Sequence, residues 1–431
     1  MLFGDFMMGA RSRLLPMSIP LRFFAAAVLF HVAAWGLLLG YAGDAPGFVG
    51  GLGHLLASLH FVTLGVLAMT GMGAAFQLLP VATKRPVRSE TACKAAFWLM
   101  LAGLLALGHG MGHGDVLPLG LGGVLVVVAL ALFAFLITDN LRQVKDMRVV
   151  TDQAWIAMGG LLFLLALASL LVADYAFGGF LPDHRALALA HGVVAAYGFM
   201  GMLALAFSFV LIPMFCLAPP PDVKNGRRAG WMAGAAVLLA AAGLVHDLKP
   251  VLILGGLLGL AASALHLWVM AKVMKSRMRK NLGDSFVLIR LAWGLMPLSI
   301  VVGLAAALGF APDRTGPLFG FVLVFGWLLT FLLGILQRIL PFLASMHSVR
   351  PGVKPALVSA LTADRPLRLH MILHIAALAV VSAGLAGQWA PLVRLGAGLG
   401  LLGALSYAVS AAHVGFSLRK HLFQQPQSSE K

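Results

Sequence analysis

The chain has 431 residues, of which 61% are hydrophobic and only 11% charged. A soluble domain carries about 25% charged residues, so a water-soluble globule is excluded. The formal net charge is +16, but the cations follow topology rather than forming one basic patch, and no nucleic-acid partner is expected.

Apolar runs of about 20 residues recur from end to end, each long enough to cross a bilayer. Backbone in hydrocarbon must satisfy its own hydrogen bonds, which makes these runs helices. The period-two alternation of a β-barrel is absent. Twelve spans are predicted, at 21–43, 53–80, 92–112, 116–138, 154–174, 187–217, 228–246, 249–273, 285–310, 316–345, 369–388 and 391–416. The expected fold class is an all-α polytopic membrane protein with twelve transmembrane helices. The first span belongs to this series and is not read as a signal peptide. No soluble domain is expected, and the polar tail 424–431 is expected to be disordered.

Of the 31 Lys and Arg, 26 fall at the termini or in alternate loops, four (Arg185, Lys249, Arg314 and Arg394) lie in the opposite loops, and Arg290 lies inside the ninth span. This asymmetry predicts that both termini are cytoplasmic, with lipid as a partner and a bacterial-type inner membrane as the location. Cys93 and Cys216 fall at cytoplasmic helix ends, where they stay reduced, and there is no disulfide framework.

Taken in chain order, the first span carries His31 near its middle, as either a ligand or a hydrogen-bonding group within the bundle. The second carries His54 at its outer end, then His60, Gly65 and Pro80. The third ends in Gly108-His109-Gly110-Met111-Gly112-His113-Gly114. His109 and His113 share a helix face, and the glycines leave room for a metal or a flat cofactor, or the pair is simply solvated. The sixth carries His191, Gly198 and Pro213, and the seventh ends at His246, which, like His54, is expected to be solvated. His266 closes the eighth and His413 the twelfth, each six residues before a basic residue, as repeat equivalents. Arg290 in the ninth is expected to snorkel to the inner interface. The tenth has Gly326 and Pro341 but no histidine. The eleventh starts with His370 and His374. Those two, with His266 and His413, are expected near the headgroups.

Gly65 and Pro80, Gly198 and Pro213, and Gly326 and Pro341 are each 15 residues apart, with offsets of 133 (198 − 65) and 128 (326 − 198). They sit in the second, sixth and tenth spans, so three pseudo-symmetric four-helix repeats are expected. Their limits are 21–150, 151–283 and 284–418, between a terminal segment 1–20 and a tail 419–431. The glycines are expected to allow close helix approach and the prolines to end or kink the helices. An ionisable group in a membrane is a functional candidate by default, and carboxylates are absent from the span interiors. His60 and His191, deep in the outer half, are therefore the main candidates to hold haem or a metal. Interhelical hydrogen bonding is the other reading. Met69, Met72, Met200 and Met202 flank them, as packing or as soft ligands.

These residues resemble the haem–copper oxidase subunit I superfamily. His60-Phe-Val-Thr-Leu-Gly65 with Gln77-Leu-Leu-Pro80 looks like its second-helix motif. His191-Gly-Val-Val-Ala-Ala-Tyr197-Gly198 with Pro213 looks like its sixth. The resemblance implies haem b on His60, with His191 as a second haem or copper ligand, and possible metal ligands in His109 and His113. It also implies electron transfer or the handling of oxygen or nitric oxide, with other respiratory subunits or a cytochrome or quinol donor as partners. The chain departs from the pattern in several places. Residues 317–326 lack the tenth-helix histidines, the seventh helix offers only His246, and Ala195 stands where the family has a tyrosine. A complete proton-pumping terminal oxidase is therefore not expected. The NnrS-type membrane haem–copper proteins, linked to nitric oxide stress, are a second resemblance, without their histidine-rich motif. A permease, or a non-catalytic scaffold of a respiratory complex, remains as an alternative.

Overall fold

The structure is a computed structural model that describes residues 15–83, 85–144, 147–349 and 355–424. The tail from 425 on, the first 14 residues and the cations Arg11, Arg13, Lys84, Lys145, Arg350, Lys354 and Lys431 lie outside the described residues, while residue 424 ends the last helix.

Twelve helices among the described residues are long and apolar enough to cross a membrane. They are α1 (Ser18–Gly40), α2 (His54–Val81), α3 (Glu90–His113), α4 (Val116–Leu141), α5 (Arg148–Ala176) and α6 (His184–Cys216). The remainder are α7 (Val223–Val245), α8 (Lys249–Lys275), α9 (Ser285–Ala307), α10 (Pro312–His347), α11 (Asp364–Ala386) and α12 (Ala390–Phe423). Short connections make successive helices antiparallel, so α1 begins and α12 ends on the same face, called here the start face. Side-chain caps fix several helix entries. The Ser89 hydroxyl accepts from Ala92 N at 3.2 Å, Asp183 from Ala186 N at 2.9 Å, and Asp222 from Asn225 N at 3.1 Å. Each takes up a backbone N–H that the first helical turn leaves free.

α2, α6 and α10 form the centre. Their most apolar 18-residue windows are 61%, 72% and 78% buried, and no other helix exceeds 50%. The other nine helices surround them. α4 packs on α5, α8 on α9 and α12 on α1, which closes the ring.

Each central helix contains one eight-residue π-helical segment: Phe61–Ala68, Val194–Gly201 and Val322–Leu329. Their offsets, 194 − 61 = 133 and 322 − 194 = 128, equal those of the Gly–Pro pairs, and the repeat glycine is the fifth residue of each. π turns widen a helix locally and are frequent at functional sites. The glycines are not equivalent. A Cβ on Gly65 would lie 2.5 Å from the Phe30 ring, so close approach holds there. At Gly198 the close approach comes from Gly160 of α5, whose Cβ would lie 2.6 Å from the Gly198 carbonyl oxygen. At Gly326 a Cβ would meet Leu295 at an ordinary 3.5 Å, and packing does not explain that glycine. The prolines sit inside the last turns, and the helices run on to Thr83, Cys216 and His347.

A second recurrence lies in the hairpins α3–α4, α7–α8 and α11–α12. Each closes on two glycines twelve residues apart: Gly110 and Gly122, Gly243 and Gly255, Gly384 and Gly396. A Cβ at any of the six would lie 2.3–2.8 Å from a backbone nitrogen of the facing helix. Only hydrogen fits, and the backbones pack directly, as in small-residue membrane interfaces.

Candidate functional site

A cavity of about 1170 Å³ opens among the central helices and their neighbours, toward the face opposite the start face. Its wall is mostly apolar. The polar groups that reach it include His60, His191, Tyr197, Trp327, His184 and Arg185.

His60 ends the last α-helical turn of α2 before its π segment, and His191 stands three residues before that of α6. Both rings line the cavity wall, with centres 6.4 Å apart and planes 22° apart. His60 Nδ1 lies 2.9 Å from the Leu56 carbonyl, so it carries the proton and donates, leaving the Nε2 lone pair free. His191 Nδ1 is buried with no hydrogen-bond partner. An orphaned polar atom in an apolar wall is costly unless a ligand completes it. Deeper in, the Tyr197 and Ser299 hydroxyls bond at 2.7 Å, and the Tyr197 ring lies 5.2 Å from Trp327.

The mouth is organised by a carboxylate. Asp174 is buried at the end of α5 and accepts from Phe180 N, Leu181 N and His184 Nδ1, each at 2.7 Å. Asp174 is the terminal residue of the expected span 154–174, and the loop that follows folds back onto it and satisfies it. The same bonds hold His184 and Arg185 at the cavity rim. Arg185 is the one arginine or lysine among the described residues that line it.

A second histidine group lies outside this cavity. His31 of α1 and His370 and His374 of α11 are all buried, and their ligand-capable atoms lie within 4.8 Å of one another. The expected interfacial placement of His370 and His374 is thus corrected. Their helix face turns inward, against α10 and α12, rather than toward headgroups. His266 is also corrected. It is buried against Phe209 with both ring nitrogens unpartnered, whereas His413 is exposed and bonds Ser417 at 3.3 Å. Equal sequence position does not give equal orientation on the two helices.

At the far end of α2 and α3, His54 stacks on Tyr41 with ring centres 3.8 Å apart, and His113 lies 5.2 Å from His54. His109 stacks on His113 at 4.5 Å and meets Asp115 at 3.2 Å. His109, His113 and Asp115 are solvent-exposed. His246 and Arg290 are also exposed.

Fold and site together define a polytopic helical membrane protein with one cavity-lining and one buried histidine group around a π-bulged core. Its fold is that of a solved haem–copper terminal oxidase, determined as a dimer. The TM-score is 0.64 at 14% identity, over 96% of this chain and 86% of that one. No family model and no curated protein matches the sequence.

Proposed function

We propose that the chain is a haem-binding electron-transfer protein of the inner membrane, with haem b held between His60 and His191. The carrying observation is the 6.4 Å separation of their ring centres beside a cavity of about 1170 Å³. His60 would hold the haem through its free Nε2, and His191, whose buried Nδ1 has no partner, would be the second ligand. Cofactor pockets typically span about 300–1,000 Å³, so the space is sufficient. When bound, haem supplies one-electron redox chemistry, and ligation by two histidines favours electron transfer over gas binding. The protein's part is ligation and burial. The Leu56 carbonyl orients His60, the apolar wall excludes water, and Arg185 offers a cation for the acidic side chains of the porphyrin.

In this reading the basic start face is cytoplasmic, and the cavity opens toward the outside, where a cytochrome, quinol or partner respiratory subunit would meet it. The chain would comprise the three units 21–150, 151–283 and 284–418. His109 and His113, with His54, would be an outer surface site for metal. The same cavity would admit oxygen or nitric oxide, the other activity the resemblance implies.

The test is a dithionite-reduced minus oxidised spectrum of detergent-purified protein, with a pyridine haemochrome assay. Sharp low-spin b-type bands, lost in His60→Ala and in His191→Ala, are expected. A colourless protein from haem-replete cells would overturn the reading and leave a permease or scaffold.

A further inference from the structure

The group on α1 and α11 plays no part in that reading. His370 and His374 are four residues apart and so share one face of α11. Their ring centres lie 5.7 Å apart, and His31 stands 6.1 Å from His370. The three donor atoms already lie within 4.8 Å of one another. A metal with bonds of about 2.0–2.1 Å needs three nitrogens roughly 3.5 Å apart, so side-chain shifts of about an ångström close the site.

An outer shell surrounds the three rings. The Thr330 hydroxyl donates to the Phe325 carbonyl at 2.9 Å, so it accepts from His374 Nε2 at 2.8 Å, which leaves that ring's lone pair on Nδ1. That carbonyl belongs to the π segment of α10. The Gln337 amide lies 3.1 Å from His370 Nδ1, and turned by 180° it accepts from that nitrogen. Trp35 Nε1 donates to His31 Nε2 at 3.2 Å. Thr330 and Gln337 are outer partners of the kind that orient metal-binding histidines, whereas Trp35 holds the lone pair of His31 that a metal would take. Room for Trp35 comes from α12. A Cβ on Gly400 would lie 2.2 Å from the Trp35 ring.

Three polar atoms here have no partner: His31 Nδ1, His370 Nε2 and the Tyr407 hydroxyl. The Tyr407 ring lies 5.1 Å from His370 and 6.3 Å from His31. Of these, His370 Nε2 is a buried lone pair with nothing to accept from, which points to a missing ligand.

We propose that His31, His370 and His374 bind one cuprous ion. Imidazole donors select copper or zinc over magnesium or calcium. Charge decides between those two. α1, α2 and α12 contain no acidic residue, and α10 and α11 hold only Asp313 and the exposed Asp364, in their first turns. No carboxylate neutralises the site, and the desolvation cost of an ion grows with the square of its charge. A monovalent ion is therefore favoured over a divalent one. On binding, the His31 lone pair passes from Trp35 to copper and the indole N–H is released.

The test is competition for Cu(I) against a colorimetric bicinchoninate buffer, on full-length protein with His54, His109 and His113 replaced by alanine. One cuprous ion per chain is expected, with a change in Trp35 fluorescence that Trp35→Phe removes. X-ray absorption should show nitrogen ligands only. His370→Ala and His374→Ala should each weaken binding by more than the roughly 10–100-fold that loss of an outer partner costs, and Thr330→Val by that smaller factor. Monodispersity on size exclusion confirms folding of each variant. Absence of copper binding, a preference for zinc, or unchanged affinity in a monodisperse His370→Ala/His374→Ala protein would overturn the proposal.

Discussion

His60 and His191 stand beside open space, whereas His31, His370 and His374 are packed solid. The first pair faces a cavity of about 1170 Å³, and the trio fills a gap between four helices. Both groups border a π segment of a central helix. α2 and α6 present a histidine at or just before the bulge, while α10 presents none and instead offers Thr330 and Gln337 to histidines of α11. One repeated backbone device thus supports two arrangements. In two units the central helix carries the donor, and in the third it carries the partner that orients donors from outside. The size of the space then separates what each can hold, a large flat cofactor in one case and a single ion in the other.

Substitutions that touch only one region sharpen this contrast. The largest effect is expected from His60→Ala or His191→Ala. Each should remove haem almost completely while cuprous-ion binding persists, as read from the haem spectrum and from copper competition on one preparation. Thr330→Val should do the reverse, weakening copper about 10–100-fold with an unaltered haem spectrum. Next come the glycines. Gly160→Ala would push a methyl against the Gly198 carbonyl at 2.6 Å, and Gly400→Ala would push one into the Trp35 ring at 2.2 Å. Overpacking of this kind costs about 1–3 kcal/mol. The first should loosen haem and the second copper, and thermal unfolding in detergent with each ligand present separates them.

Asp174→Asn should act locally, weakening the bonds to Phe180, Leu181 and His184. Faster hydrogen exchange over 177–184 is expected, with the trio untouched. The smallest effect is at Asp222, outside the spans. The Asn225 backbone N–H, and then its side chain, hold the Asp222 carboxyl below its ordinary value. A depressed carboxyl adds stability above the unfolded pKa and loses it as pH falls through the lower folded value. Asp222→Ala should therefore remove part of the acid-side loss of stability, measured as unfolding temperature against pH, without moving either ligand.

The twelve helices were legible because lipid leaves the backbone few alternatives, and hydropathy alone marks the spans. The Gly–Pro spacing marked the three central helices, but the π turns that share that spacing were not readable, since wider hydrogen bonding leaves no residue signature. The hairpin glycines, from Gly110 and Gly122 to Gly384 and Gly396, were present as a spacing of twelve in all three units and went unread among 50 glycines. For the site, depth in the span picked out His60 and His191. It misjudged His370 and His374, because distance from a helix end says nothing about which way the face turns. Their i, i+4 pairing, with Thr330 and Gln337 seven residues apart on α10, was the available signal.

The central claim is that this oxidase-like fold holds haem on His60 and His191. The most direct measurement is the reduced minus oxidised spectrum of the purified wild-type chain beside His60→Ala, with iron and copper assayed on the same samples. The account predicts low-spin b-type bands and iron in the wild type, both absent from the variant, with copper retained in each. A wild-type protein without bands or iron, or bands that survive in His60→Ala, would contradict it.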